Sequence, residues 1–339
     1  MEKDNKIMFI LKKRTIYSDA KYTTVNSGLY NSAKFVNDML CEEGIESNLV
    51  EVVDNNEIDK FVTKYRPDIV IIEAVWVVPS KFEILKKLHP NVKWYIRIHS
   101  ELPFIANEGV AIEWLKAYSQ YDNVFVSANS NDFIKSMEPI LGKDIIYTPN
   151  YYPVKKTIPT TKPYCPPYIL NVGLFGAIRP MKNTLTQAVA AMIYADRHNQ
   201  LLRLHINTER IEQKGDSALK NVRALFAGTK HELVEHKWLK HSEFVELVSH
   251  MDIGLQVSLT ETYNIVTADF VSQSIPVVTS KEITFVNCFN TSDTTKDAVV
   301  IADKIETALT YKFPLTNINK FLLKNDSNRA RLVWLDFVS

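Results

Sequence analysis

The segment DIVIIEAVWV, residues 68–77, decides the fold class. It is apolar without alternation, as strands are when helices cover both faces of a parallel sheet. Outward from it, apolar runs at 7–11 and 47–53 alternate with helical patterns at about 29–43 and 56–65. The order β-α-β-α-β predicts an α/β fold with a doubly wound, Rossmann-like sheet.

The alternation stops at YYPVKKTIPTTKPYCPP, residues 151–167, which has five prolines and no periodicity. This composition is typical of an extended connector between domains. A second series of strands and helices follows, with a long helix predicted at about 183–198. Two doubly wound halves predict a cleft between the carboxyl ends of their sheets. The predicted parts are an N-terminal domain over 1–152, a linker over 153–167, a C-terminal domain over 168–320 and a C-terminal segment over 321–339. One arrangement of this last segment packs it back on the N-terminal domain.

Composition and charge limit the classes of protein to consider. The chain has 339 residues, of which 46% are hydrophobic and 23% charged, so it is long enough for two domains with cores of their own. Forty basic residues against 39 acidic ones give a formal net charge of +1. That balance excludes a global attraction to nucleic acid or membranes and leaves only a local patch.

The cysteines and the apolar runs bear on compartment. Cys41, Cys165 and Cys288 lack metal-ligand spacing, which argues against a zinc site and fits a reducing environment. No run of 18 apolar residues occurs, and the apolar run near the amino terminus is too short for a signal peptide. We therefore expect a cytoplasmic protein with no membrane span and no metal site.

The segment VGLFGAIRPMKN, residues 172–183, joins a predicted strand to the long helix. Its two glycines permit a close backbone approach, and Arg179 and Lys182 come just before the helix. Two cations at the carboxyl end of a strand are suited to a diphosphate. An ordinary solvated basic loop is the alternative.

The segment ETYNIVTADFVSQSIPVVTS, residues 261–280, places the carboxylates Glu261 and Asp269 eight positions apart. The loop SLTETYN, which includes Tyr263 and Asn264, leads into a predicted helix whose amino terminus could cradle a phosphate. A carboxylate further along is suited instead to the hydroxyls of a ribose or a sugar. Acids early in a helix also stabilise it by about 0.3–1 kcal/mol, which is the structural alternative.

Together, these segments resemble retaining glycosyltransferases of the GT-B fold, especially those of the large family 4. The resemblance covers both halves in order. It implies that Arg179 and Lys182 hold the diphosphate of a nucleotide sugar, that Glu261 holds the transferred sugar, and that Asp269 binds the ribose. Asp269 replaces the second glutamate of the family motif, and Ser274 stands where the family has glycine.

The resemblance also assigns residues in the N-terminal half. Gly28 opens the first helix in VNSGLYNSAKFVNDML (25–40) and resembles the glycine-rich loop of the family, although it could simply make a turn. His99 in YIRIHSELPF (95–104) ends a strand where related enzymes carry a histidine that contacts the sugar near the reacting carbon. A histidine in a structural hydrogen bond is the alternative.

The resemblance implies a reaction as well. The acceptor attacks the anomeric carbon on the face from which the nucleoside diphosphate leaves, so the configuration is retained. Arg179, Lys182 and a helix amino terminus neutralise the departing phosphate. No metal and no cofactor beyond the donor substrate is expected, in agreement with the lack of a DxD triplet at a strand end.

The acceptor is predicted from a cluster of cations after the first strand. Basic side chains beside the aromatic residues Tyr17 and Tyr22 could contact the phosphate backbone and a flipped nucleobase of a nucleic acid. The alternative is that they form an ordinary solvated loop. Segments such as LKKR, GLYNSAKFV and HSELPFIANEG are similar to sequences of bacteriophage glycosyltransferases, some of which modify hydroxymethylated bases of phage DNA. This similarity implies a location in the host cytoplasm. The candidate DNA-binding cations are Lys12, Lys13, Arg14 and Lys21.

Other classes of function stay open. A cell-surface glycan is the alternative acceptor for a glycosyltransferase. A nucleotide-sugar 2-epimerase shares the GT-B fold and the diphosphate grip but adds acid and base carboxylates of its own. A lectin-like module without activity is the third class.

Overall fold

The computed structural model describes residues 5–13, 28–154, 166 and 168–339, together with the backbone of two short strands at 15–18 and 21–24. The described residues form two compact units. Unit one takes those within Met1–Thr15, Asn26–Pro153 and Asp326–Ser339, and unit two takes those within Ile16–Val25 and Val154–Asn325.

The first half of the chain alternates strands and helices. Its strands are β1 (Ile7–Lys12), β2 (Thr15–Ser18), β3 (Lys21–Thr24), β4 (Ser47–Val52), β5 (Ile69–Glu73), β6 (Lys93–Ile98), β7 (Val124–Ala128) and β8 (Ile146–Tyr147). Its helices are α1 (Gly28–Glu42), α2 (Ile58–Tyr65), α3 (Lys81–Leu88), α4 (Leu102–Ile105), α5 (Ala111–Tyr118) and α6 (Asn131–Leu141).

Unit one is built on a parallel six-stranded sheet in the order β4-β1-β5-β6-β7-β8. β2 and β3, which apart from Thr15 fall within unit two, form a two-stranded sheet. The chain crosses from one side of β1 to the other between β4 and β5. In doubly wound sheets, ligands bind beyond the carboxyl ends of the two strands at such a switch point. Here these strands are β1 and β5.

The second half repeats the alternation. Its strands are β9 (Ile169–Leu174), β10 (Leu201–Asn207), β11 (Glu232–His236), β12 (Ile253–Gln256), β13 (Val277–Ser280) and β14 (Thr291–Ser292). Its helices are α7 (Thr184–Arg197), α8 (Asp216–Phe226), α9 (His241–Ser249), α10 (Ile265–Ser272), α11 (Ala298–Thr310) and α12 (Lys312–Val338).

Unit two has a parallel sheet in the order β11-β10-β9-β12-β13-β14, with its switch point between β9 and β12. Gly173 on β9 pairs with Gly254 on β12, and both lie under the ring of Phe270 on α10. A Cβ built on Gly173 or Gly254 would lie 2.6 Å or 2.5 Å from that ring. The two glycines therefore let α10 pack close to the sheet beside the switch point.

The end of α12 packs on unit one. Trp334 is buried in the same apolar cluster as Phe9 of β1, with 5.7 Å between the ring centroids. Its indole Nε1 donates to the carbonyl of Pro149 at 2.8 Å. The C-terminal residues thus complete a core that begins with the first strand.

The prediction of two doubly wound Rossmann-like halves is confirmed. The helices predicted at about 29–43 and 183–198 are α1 and α7. The strands β2, β3 and β14 and the helices α3, α4, α11 and α12 were not predicted. Ser274 has a φ of +58°, in the left-handed region that favours the glycine of the family motif. Among the described residues, no helix is long and apolar enough to span a bilayer.

Candidate functional site

The loops after β9 and β12 meet at the switch point of unit two. Leu259 N donates to the carbonyl of Met181 at 2.9 Å. The buried amide of Gln187 on α7 joins the same two loops, since its Nε2 donates to Lys182 O and its Oε1 accepts from Val257 N, both at 2.7 Å. These contacts fix the backbone around the side chains that were predicted to bind a ligand.

Lys182 and Glu261, one from each loop, form an ion pair. Their side chains are 17% and 7% exposed. Asn264 donates from Nδ2 to the same Glu261 oxygen at 3.1 Å and to Gln256 Oε1 at 2.9 Å. Burial lowers the pKa of Lys182, and the Glu261 charge opposes that shift. The pair is desolvated enough to interact strongly and exposed enough to meet a ligand.

Arg179 lies beside a second carboxylate, with 3.5 Å between its Nη1 and Oε2 of Glu212. The other oxygen of Glu212 accepts from Arg210 Nε at 2.8 Å and Nη2 at 2.7 Å. Glu212 and Arg210 were not predicted. No sequence pattern marks them, because they come from the loop after β10 and reach Arg179 only through the fold.

The amino terminus of α10 faces the same place. Asn264 caps it, with Oδ1 accepting from Thr267 N at 2.9 Å. The ring of Tyr263 packs on Phe285 at 5.0 Å between centroids. In the described part of unit two, the buried hydroxyls of Ser258 and Thr267 make no hydrogen bond to protein. The free N–H groups at the amino terminus of a helix are suited to an anion.

Asp269 lies further along α10 and is 1% exposed. Its Oδ1 bonds to Nε2 of His241, at the start of α9, at 2.7 Å. His241 is 26% exposed, so the imidazole is the more accessible member of the pair. The structure therefore holds the predicted ribose carboxylate against a histidine that was not predicted.

His99 follows β6 in unit one and bonds through Nε2 to Oε2 of Glu73, the last residue of β5. Burial and the Arg97 charge lower the pKa of His99, while Glu73 opposes the shift. Burial alone would raise the pKa of Glu73, but Arg97 and His99 more than offset it, and the pKa is lowered. His99 is thus held by a fully buried carboxylate that was not predicted.

Arg97 completes this buried network. Its Nη1 donates to Glu73 at 3.1 Å, its Nε to Thr148 O at 3.0 Å, and its Nη2 to Pro149 O and Asn150 Oδ1, both at 2.8 Å. Its guanidinium carbon lies 5.2 Å from the Trp334 ring centroid. Arg97 therefore serves the core, binding the end of the first sheet to α12.

Three more predicted residues of the N-terminal half, Gly28, Lys12 and Lys13, are at the surface. Gly28 is the first residue of α1, and a Cβ there would meet nothing within 4 Å, so packing does not require glycine. Lys12 ends β1 and Lys13 follows it, both exposed. Arg14 lies outside the described residues, and of Lys21 only the backbone, in β3, is described.

The structure thus brings together Lys182, Glu261 and Asn264 directly, and Arg179 through Glu212 beside them. Tyr263 lies in the same loop, and Asp269 lies along the helix that this loop begins. His99 and Gly28 belong to the other unit. Within the described ranges, no group of three or more His, Cys, Asp or Glu side chains could hold a metal ion.

No protein-family model matches the chain, and no curated protein matches it in sequence. Among solved structures, it is similar to sucrose-phosphate synthase from Thermosynechococcus elongatus (TM-score 0.68, 13% identity, 98% of this chain and 97% of that one). It is also similar to Anabaena HepE in complex with UDP and glucose (0.66, 13%, 98% and 98%). A third is a glycosyltransferase from Rickettsia africae ESF-5 (0.62, 14%, 99% and 94%). The chain therefore has the GT-B fold over nearly its whole length.

Proposed function

We propose that this protein is a retaining glycosyltransferase, of the family 4 type, that moves a sugar from a nucleoside diphosphate sugar to a hydroxyl acceptor. The observation that carries the proposal is the pair of Lys182 and Glu261, with Arg179 alongside, at the switch point of the second sheet. Supporting it, proteins of the same fold include glycosyltransferases, and one of them was solved with UDP and glucose.

The proposed site provides the electrostatics that loss of a nucleoside diphosphate requires. Lys182 and Arg179 bind the diphosphate, and the amino terminus of α10 adds backbone N–H groups. When the phosphate replaces Glu261 as the ion-pair partner of Lys182, the Glu261 carboxylate can accept hydrogen bonds from the hydroxyls of the transferring sugar. The leaving charge is then neutralised by groups already in place, without a metal or a cofactor.

His99 is proposed to contact the sugar near the reacting carbon. Its lowered pKa favours the neutral imidazole at pH 7. If Nε2–H donates to Glu73, the acceptor nitrogen of that neutral ring is Nδ1. Glu73 would hold the ring in one orientation for that contact.

Hydroxymethylated phage DNA is the proposed acceptor, in the cytoplasm of the host. Supporting it, Lys12 and Lys13 are exposed at the carboxyl end of β1, one of the two strands at the switch point of unit one. A basic patch there could bind phosphates beside a base. A cell-surface glycan is the alternative acceptor.

Salt dependence separates the two acceptors. Affinity for hydroxymethylated duplex DNA, and with it transfer, should fall as the salt concentration rises. The logarithm of the affinity should fall against the logarithm of the salt concentration with a slope of about −0.9 per neutralised phosphate. Replacing Lys12 and Lys13 by Ser should flatten that slope. Labelling of a surface glycan, with no transfer to any modified DNA, would eliminate the DNA acceptor and leave the glycosyltransferase proposal intact.

Variants of the two carboxylates test the reaction itself. We expect Glu261→Gln to reduce turnover of a nucleotide sugar because it contacts the transferring sugar, while binding of the sugar-free nucleoside diphosphate changes little. Asp269→Asn should mainly weaken nucleotide binding. Product formation from UDP-, GDP- and ADP-sugars is followed by mass spectrometry, with Glu232→Gln, on an exposed part of β11, as control. Equal loss of free nucleotide affinity in both variants, with turnover following occupancy, would refute these roles.

A further inference from the structure

The loop after β10, residues 208–215, is fastened to the loop after β9, and we name it the strap. The backbone N of Ile178 donates to Arg210 O and its carbonyl accepts from Glu212 N, both at 2.9 Å. Gly215 permits this approach, because a Cβ there would lie 2.1 Å from the carbonyl oxygen of Ile178. The strap is therefore a fixed part of the carboxyl edge of the second sheet.

The strap delivers a cation to this edge. The guanidinium of Arg210 bonds to Glu212 through Nε and Nη2, and its central carbon lies 5.2 Å from the centroid of the Trp238 ring. Trp238 is itself tied to the strap, since its backbone N donates to Glu209 at 2.7 Å. Arg210 is held from two sides while its side chain stays 16% exposed.

Glu212 aligns this cation with another. Its two oxygens face Arg210 and Arg179, so a single carboxylate sets the spacing of two guanidinium groups. The charges of both arginines also lower the pKa of Lys182, although burial has the larger effect. Both arginines are therefore close enough to interact electrostatically with Lys182. Three cations this close to one another raise the local positive potential, which favours the binding of an anion.

The contacts described above join three cations through two carboxylates. Glu212 pairs with Arg179 and Arg210, and Glu261 pairs with Lys182. A diphosphate brings more than one negative charge and several acceptor oxygens. A guanidinium carries five N–H groups in a planar fork, so it can bind Glu212 along one edge and a phosphate along another.

We propose that Arg210 is a third diphosphate-binding side chain of this protein, and that Glu212 is the residue that positions it beside Arg179. The inference rests on the proposed binding of a nucleoside diphosphate and adds a contact from the strap to that site.

Calorimetric titration of UDP and UMP tests the contact. Arg210→Gln should weaken UDP binding about tenfold or more and UMP binding by a smaller factor, because the lost hydrogen bonds are charge-assisted and are made to the diphosphate. Arg210→Lys should recover part of the loss. Arg203→Gln, which removes an arginine of β10 paired with Glu232 at an exposed place, should leave both affinities unchanged.

The role of Glu212 is tested in the same titrations. If Glu212 positions Arg210, the substitution Glu212→Gln in the parent protein should weaken the binding of UDP more than the binding of UMP. The same substitution should have a smaller effect in the Arg210→Gln background. Tighter UDP binding by Glu212→Gln would show instead that this carboxylate only competes with phosphate, and would overturn the positioning role.

Two further results would overturn the contact of Arg210. One is unchanged UDP affinity in Arg210→Gln. The other is an equal loss for UDP and UMP together with a lower melting temperature, which would make the side chain structural. A parent protein that binds none of UDP, GDP and ADP would contradict the proposed function as well, so the two failures are distinguishable.

Discussion

The two sheets of this protein treat charge at their strand ends in opposite ways. In unit one, Glu73 ends β5 at the switch point, and both it and Arg97 are completely buried and bonded to each other. In unit two, Lys182 and Glu261 follow the switch-point strands and keep some exposure. Both sheets obey the same topological rule.

The difference teaches that a charged residue at a carboxyl end does not by itself mark a binding site. The donors of Arg97 are directed at Glu73 and at the oxygens of 148–150, all within the protein. In unit two, Lys182 is paired with Glu261, a carboxylate that a more highly charged ligand could displace. Burial thus distinguishes a charge that stabilises the fold from one that is suited to a ligand.

The largest effect is expected from Arg97→Ala. Removing one partner leaves the Glu73 carboxylate buried and unpaired, which should lower the free energy of unfolding of unit one by about 3–5 kcal/mol. Lys86→Ala, which breaks an exposed pair with Asp122, should cost about 1 kcal/mol or less. Urea denaturation followed by tryptophan fluorescence measures both. Equal stability of the two variants would remove the contrast between buried and exposed charge.

A smaller effect is expected from Gly254→Ala in unit two. The added Cβ would meet the Phe270 ring at 2.5 Å and push α10 away from the sheet, at a cost of about 1–3 kcal/mol. Nucleoside diphosphate binding should weaken too, because α10 begins at the Asn264 cap. Phe270→Leu in the same chain should restore part of both losses. Gly109→Ala, where a Cβ meets nothing within 4 Å, is the control.

The smallest effect concerns a buried histidine pair. His205 Nδ1 lies 2.9 Å from His236 Nε2, and burial, with the charges of His236 and Arg203, lowers the pKa of His205 to about 4. The unfolded chain therefore takes up a proton near its ordinary pKa of about 6.5 before the folded protein does. Stability from this group is complete above that pH and is lost progressively as the pH falls towards 4.

Chemical denaturation at a series of pH values measures this loss. His205→Asn should flatten the curve between about pH 6.5 and 4, where the proton uptake of the two states differs. The comparison is His250→Asn, because His250 is only partly buried. A curve for His205→Asn that is as steep as that of the parent would assign the pH dependence to other groups.

The sequence predicts the fold well because its main signals are local. Continuous apolar strands such as 68–77 and helical periodicity identify the alternating elements without any knowledge of contacts. The meeting of Lys182 and Glu261 is predictable in the same way, since both follow strands whose carboxyl ends share an edge. This part of the candidate site needs only the order of the elements.

The rest of the site depends on contacts that no local pattern encodes. Glu73 and Arg97 are single charges in apolar strands, and their burial follows from the pairing of β5 with β6. Arg210 and Glu212 lie in a loop without periodicity, which the hydrogen bonds to Ile178 fasten in place. A carboxylate at the end of β5, Glu73, and a histidine just after β6, His99, are a signal that could have been used.

Titration of UDP into the parent protein and into Lys182→Ala tests the central claim most directly. Loss of a charge-assisted bond to the diphosphate should weaken binding by about 1.5–3 kcal/mol, roughly tenfold to a hundredfold. Lys220→Ala, which removes an exposed lysine of α8, should bind UDP as the parent does. The account predicts that loss in Lys182→Ala alone. Equal UDP affinity in all three proteins would contradict a diphosphate site at the switch point of the second sheet.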